Sequence, residues 1–207
     1  MNLPISFFTL LLLGFTFLTN AQNKPTGSIV MTTKPLSEQR ELLDLFRFQN
    51  IDYYQVTVKG AIKGKYYSIT AKEIWNGVIT NTDTIFNSAR GELAFIGKHQ
   101  TDSLNFSVMA SKAGRKKLKL NFSLDRIGLH KEYKSTVVNN YSLRDVGTQM
   151  VIEPGKPFYA FAYILPYKLD SGGSSWCAVE SSGKDIEKWG QEFGIKHYLL
   201  FEMNFFE

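Results

Sequence analysis

The stretch SLNFSVMASKAGRKKLKLNFSL, residues 103–124, decides the fold. Leu104, Phe106 and Val108 alternate with small polar residues, and four apolar residues between 118 and 124 alternate with Lys, Asn and Ser. A period of two is typical of a β-strand with one buried face and one wet face. Because the intervening loop, Ser111 to Arg115, contains Gly114, the two segments predict a β-hairpin.

The same alternation extends outward along the chain. Residues 67–71 alternate in the same way, and Asn76-Gly77 then leads into a second apolar segment, Val78 to Phe86. Asn-Gly between two such segments is the strongest short hairpin signal. Further strands are predicted at Ile29 to Thr33, Tyr53 to Lys59, Glu92 to Gly97 and Lys134 to Asn139.

Two segments near the C-terminus are almost continuously apolar. They are FYAFAYIL, residues Phe158 to Leu165, and YLLF, residues Tyr198 to Phe201. Strands that are covered on both faces have this composition. We therefore expect the C-terminal strand to be central in its sheet.

Two short helices complete the predicted elements. The first runs from Ser37 to Phe46, and the second from Gly183 to Phe193, where Gly194 supplies a left-handed stop. With ten or eleven strands, this pattern predicts a mainly β protein, an antiparallel β-sandwich or jelly roll with two short helices. A lipocalin-like closed β-barrel is the alternative.

The first 21 residues have the features of a secretory signal peptide. An apolar run, Phe7 to Leu18, is followed by small residues up to Ala21, and it is too short to span a bilayer as a helix. Residues 22–207 are predicted to form a single β-rich domain without a transmembrane segment. No cysteine follows the apolar run and Cys177 stands alone, so we expect neither a lipoprotein anchor nor an internal disulfide. The expected location is the periplasm, the cell surface or the medium.

No motif for a cofactor, a metal or a catalytic nucleophile emerges from the sequence. The three histidines have no metal-ligand spacing, Ser181 matches S-x-x-K only at a predicted helix start, and Cys177 is predicted to be a core residue. Candidate carboxylates for a glycosidase pair are Glu73, Asp125, Glu132, Glu153, Asp170 and Glu180. Glu73 is the most suggestive of them, but a place on the wet face of its strand explains it more simply.

A basic cluster surrounds the hairpin of residues 103–124. The candidate ligand-binding residues are Arg115, Lys116, Lys117 and Lys119, with Lys112 nearby. Such a patch attracts anionic partners, and export argues against nucleic acid as that partner. The alternative is a solvated hairpin whose lysines prevent edge-to-edge aggregation.

The C-terminal part of the chain carries a resemblance. Trp176 to Asp185, Trp189-Gly190 and His197 to Met203, with a leader that ends in Asn20-Ala21-Gln22, resemble a family of small secreted Bacteroidetes proteins of unknown function. The resemblance implies an envelope or extracellular setting and brings no activity or cofactor.

These observations predict a non-enzymatic exported module that binds a glycan, an envelope component or a protein partner. The many aromatic residues, 14% of the chain, suit such a role. A carbohydrate- or peptidoglycan-directed hydrolase is the first alternative, and a structural subunit of an envelope complex is the second.

Overall fold

The computed structural model describes residues 28–34, 39–125, 127–176 and 186–207. Twelve strands and two helices lie in these ranges. The strands are β1 (Val30–Lys34), β2 (Ile51–Lys59), β3 (Tyr66–Trp75), β4 (Val78–Asn87), β5 (Ser103–Ala113), β6 (Lys117–Leu124), β7 (Ile127–Lys134), β8 (Ser142–Asp145), β9 (Phe158–Ile164), β10 (Tyr167–Lys168), β11 (Ser174–Ser175) and β12 (His197–Phe206). The helices are α1 (Arg40–Phe48) and α2 (Trp189–Glu192).

The strands form two five-stranded antiparallel sheets. The first sheet has the order β1-β2-β5-β6-β7 and the second has the order β4-β3-β12-β9-β8, while β10 and β11 form a separate small hairpin. The two sheets keep their own edges rather than closing on one another. The predicted antiparallel sandwich is thus confirmed, and the lipocalin-like alternative is wrong.

The core lies between the two sheets because apolar side chains alternate inward from both. Phe122 of β6 contacts Phe201 of β12 edge to face, with ring centroids 5.5 Å apart. Tyr54 of β2 stacks on Phe161 of β9 at 6.1 Å. Such aromatic pairs add to the free energy gained from burial, so a chain without an internal disulfide is held together by packing.

Strand β12 occupies the centre of the second sheet, between β3 and β9, as its apolar composition predicts. Its outer face is covered by residues 186–195, in which Trp189 is fully buried. The Tyr198 hydroxyl donates to the carbonyl of Glu187 at 2.8 Å and fixes this segment on the sheet. Both faces of β12 are therefore buried over residues 198–201, which explains the run of four apolar residues there.

Both predicted hairpins are present. Asn76 and Gly77 adopt left-handed conformations, with φ of 51° and 77°, in the two-residue turn between β3 and β4. Gly114, with φ of 65°, begins the turn between β5 and β6. The turn residues and the alternation on either side of them therefore agree, which fixes the register of each hairpin.

Two predicted strands are wrong. Residues 91–96 form a 3₁₀ helix, because Gly91 and Gly97 adopt positive φ at its two ends and interrupt any extended run. The predicted strand from Lys134 to Asn139 is also wrong, because Lys134 is the last residue of β7 and residues 135–139 form a loop between β7 and β8. In edge strand β7, Ile127, Leu129 and Tyr133 share one face, and Lys131 interrupts their apolar series.

The two helices are shorter or shifted relative to prediction. Helix α1 ends two residues later than predicted, and the predicted cap Ser37 lies outside the described residues. The second helix is a 3₁₀ turn, Ile186–Lys188, followed by the single turn of α2, with Gly194 at φ of 62° beyond it. Within the described ranges, neither helix has the length and apolar character needed to cross a bilayer.

Candidate functional site

A polar cavity opens where edge strand β7 of the first sheet faces edge strand β4 of the second. Its volume is about 590 Å³, within the range of small-ligand sites. We call it the β4–β7 cavity, and its walls are formed by Glu73, Trp75, Thr80, Asn81, Asp83, Glu132, Tyr133 and Lys134.

The β3–β4 hairpin supplies most of the wall. In its register Glu73 lies opposite Asn81, and Ala71 lies opposite Asp83, so the polar side chains share the inner face of the sheet. A bulge follows Glu73, where Thr80 is the extra residue and its hydroxyl donates to the Glu73 carbonyl at 3.2 Å. The bulge locally bends β4 beside the cavity.

Glu73 lies at the base of the cavity and is only 8% exposed. The Trp75 indole N–H donates to its Oε1 at 2.7 Å. The Nε2 atom of His197, on β12, lies 3.6 Å from the same oxygen. A buried carboxylate that accepts one short hydrogen bond from a neutral donor is electrostatically under-compensated.

His197 is held in place from behind. Its Nδ1 lies 2.7 Å from the Tyr141 hydroxyl, which also accepts a hydrogen bond from the Thr136 N–H at 3.1 Å. The Trp75 ring packs on the imidazole with centroids 4.1 Å apart. Burial lowers the pKa of His197 to about 4, so the ring is neutral at physiological pH and does not balance the charge of Glu73.

Strand β7 closes the other side of the cavity by contacts with Asp83 of β4. The Asp83 carboxylate accepts a hydrogen bond from the Tyr133 hydroxyl at 3.0 Å and forms an ion pair with Lys131, also at 3.0 Å. Burial, together with the negative charges of Asp83 and Glu73, raises the pKa of Tyr133. The phenol is therefore a permanent donor that ties β7 to β4 across the gap between the sheets.

The predicted basic cluster is where the sequence places it, around the exposed β5–β6 turn, and it lies beside the cavity. Lys117 forms an ion pair of 2.8 Å with Glu132, and this bond raises the pKa of Lys117. Lys119 is opposite Glu132 in the β6–β7 register, while Arg115 and Lys116 are exposed at the turn. Part of the predicted positive charge is thus neutralised by β7.

The structure brings two of the predicted carboxylates together, Glu73 and Glu132, and adds Asp83 to them. Asp125 lies in the β6–β7 turn, and it lines a different cavity of about 680 Å³ that also includes His99 and the exposed Phe95. Glu153 and Asp170 are exposed elsewhere. Glu180, Ser181 and Cys177 lie outside the described residues.

The predicted wet-face position of Glu73 is wrong. Tyr67, Ile69 and Ala71 are buried inner-face residues of β3, and Glu73 continues their alternation inward. The alternation along β3 was therefore a signal in the sequence that Glu73 faces inward. The partnership with His197 and Tyr141 was not, because those residues are brought together only by tertiary pairing.

No group of three or more His, Cys, Asp or Glu side chains in the described ranges is arranged to hold a metal ion. The chain matches no protein-family model, no curated protein and no solved structure at a significant level. The function therefore has to be inferred from the cavity itself.

Proposed function

We propose that the chain is an exported, non-catalytic binding module whose β4–β7 cavity takes a glycan. One observation carries this proposal: a 590 Å³ cavity combines an indole and a phenol with planar carboxylate and amide groups. The C–H face of a sugar ring packs on aromatic rings, and its hydroxyls pair with groups such as Glu73, Asn81 and Asp83. The leader-like segment at residues 1–21 supports export.

The tie between Asp83, Lys131 and Tyr133 supports binding rather than hydrolysis. A glycosidase needs two carboxyl groups on either side of the scissile bond, one as acid and one as base or nucleophile. Asp83 is held by a lysine and a phenol, both at 3.0 Å, which leaves it poorly placed to move a proton. The hydrolase alternative rests on Glu73 and Asp83 lining the same cavity.

The experiment is a binding screen of the protein on an array of bacterial and plant oligosaccharides, followed by calorimetry on the best ligand. Asn81 and Thr82 are neighbours on β4, and their side chains lie on opposite faces of the sheet. Asn81 is opposite Glu73 on the inner face, and Thr82 is opposite Lys72 on the outer face. We expect Asn81→Ala to weaken binding about fivefold, the value of one lost hydrogen bond, and Thr82→Ala to leave it unchanged.

A second variant tests the basic hairpin. Arg115→Glu with Lys116→Glu reverses the exposed charge and leaves the Lys117–Glu132 pair intact. If binding is lost in this variant and kept in Asn81→Ala, the cavity is not the binding site, and an anionic envelope ligand at the hairpin is favoured. Absence of binding to any oligosaccharide, or release of a shortened product by the wild-type protein, would overturn the proposal.

A further inference from the structure

The negative charges of the three carboxylates in the β4–β7 cavity are not equally balanced by neighbouring cations. Asp83 is paired with Lys131 and Glu132 with Lys117, at 3.0 and 2.8 Å. Glu73 is the most deeply buried of the three, and in the described part of the chain its only ion-pair contact is with the imidazole of His197.

That imidazole leaves the charge of Glu73 unbalanced. His197 is fully buried, and its Nε2 has no hydrogen-bond partner among the described residues. Its Nδ1 lies 2.7 Å from the Tyr141 hydroxyl, and its Nε2 faces the Glu73 carboxylate at 3.6 Å. This distance exceeds that of a hydrogen bond. Among the described residues, folding therefore leaves a buried carboxylate without a cation and a buried imidazole nitrogen without a hydrogen-bond partner.

We infer that the base of the cavity selects a protonated amine, and that the ligand is an amino sugar whose ammonium group binds Glu73. This inference rests on the proposed glycan-binding function and specifies the ligand. An ammonium group would supply the charge that the lysines supply to Asp83 and Glu132. The faces of Trp75 and Tyr133, which line the same cavity, also attract cations.

The test compares two probes by calorimetry, a tetramer of β-1,4-linked glucosamine and the same tetramer fully N-acetylated, in buffer acidic enough to keep the amines protonated. We expect the wild-type protein to bind the free-amine tetramer at least about tenfold more tightly, as a charge-assisted hydrogen bond predicts. Glu73→Gln should abolish this preference, so that the ratio of the two affinities falls to about one. Glu153→Gln, which removes a carboxylate outside the cavity, should keep the preference.

The wild-type comparison decides the inference even if Glu73→Gln fails to fold. Equal affinity for the two tetramers, or a preference for the N-acetylated one, overturns the amine site and leaves glycan binding in place. If neither tetramer binds while other oligosaccharides do, only the amino-sugar assignment is lost. If no oligosaccharide binds at all, the proposed function itself fails. Nα-acetyl-lysine amide binding as tightly as the glucosamine tetramer would overturn the sugar assignment.

Discussion

Asp52 connects the two sheets at the edge opposite the β4–β7 cavity. Its carboxylate, on β2, accepts a hydrogen bond of 2.9 Å from the backbone N–H of Leu143, on β8. Burial raises the pKa of Asp52 to about 6, although the Leu143 hydrogen bond and the charge of Arg144 act in the opposite direction. Since the folded state favours the protonated form, ionisation of Asp52 costs stability.

Replacing Asp52 with Asn should stabilise the protein at neutral pH. The folded-state pKa of about 6 is above the usual 3.8, so the wild-type protein loses stability as pH rises through this interval. Asn keeps an acceptor oxygen for Leu143 and cannot ionise. We expect a gain of about 1–3 kcal/mol in the free energy of unfolding at neutral pH. The lower end of this range allows for solvent screening, because Asp52 is partly exposed. Urea titrations at several pH values measure it.

The gain should shrink as the pH falls from 6 to 3.8 and vanish below 3.8, where the wild-type carboxyl is protonated in both states. Asp170→Asn, in an exposed loop, is the matched control and should be neutral throughout. A gain of equal size at acid and neutral pH would contradict the assignment of the effect to ionisation.

His197 makes the opposite contribution to pH dependence. Burial lowers its pKa from 6.5 to about 4, so the unfolded state binds the extra proton and the wild-type protein loses stability as pH falls through this window. The loss amounts to about 3 kcal/mol at its full extent. His197→Gln should be less stable at neutral pH and should have a flatter profile between pH 6.5 and 4.

Urea titrations of the two proteins at matched pH values provide the comparison. Both retain Asp52, so its contribution cancels in the difference between the two profiles. Parallel profiles would show that the imidazole does not titrate in this range.

At the scale of elements, α2 supports the hairpin that carries the cavity. The Asn76 N–H donates to the Lys196 carbonyl at 2.9 Å, just before β12 begins. Gly190 of α2 lies so close to the turn that an added Cβ would be 2.5 Å from the backbone nitrogen of Gly77. This contact holds the turn, and with it Glu73 and Trp75, against the C-terminal segment.

Gly190→Ala should therefore destabilise the protein by about 1–3 kcal/mol, because the clash is with backbone that cannot rotate away. The change in thermal midpoint and in the urea midpoint measures this loss. Gly128→Ala on exposed β7 is the matched control, since nothing lies within 4 Å of its added Cβ. If the two substitutions have the same effect, α2 does not pack on the turn as described.

At the scale of the whole molecule, the C-terminal strand is required for the second sheet to form. Strand β12 pairs with β3 along ten residues and with β9 on its other side. Its inner face places Leu199, Phe201 and Met203 in the core, all fully buried. Without β12, β3 and β9 would each have an unpaired edge, and the first sheet would lose its apolar partner.

A chain that ends at Lys196 should lose cooperative thermal unfolding, monitored by far-UV circular dichroism. Deletion of Glu207 alone should be nearly neutral, because its ion pair with Lys65 involves a side chain that is 81% exposed. A cooperative transition in the shorter chain would show that β12 is dispensable.

Local pattern and tertiary placement contribute differently to the fold. Alternation and turn residues predicted both hairpins, and the apolar run at 198–201 predicted a central C-terminal strand, because backbone sterics and burial act within a few residues. Strand β7 was not predicted, because Lys131 interrupts the alternation of Ile127, Leu129 and Tyr133.

The sequence by itself determined the antiparallel β class, the two hairpins and the dry strand at the C-terminus, since each depends on short-range periodicity. Only the tertiary structure decided that Glu73, Trp75 and His197 meet in a cavity between β4 and β7. That meeting depends on which strands become neighbours across the two sheets, and loop connections of many residues carry no local signal for such pairing. The physical consequence is that Glu73 is a buried carboxylate with no cation beside it in the described part of the chain.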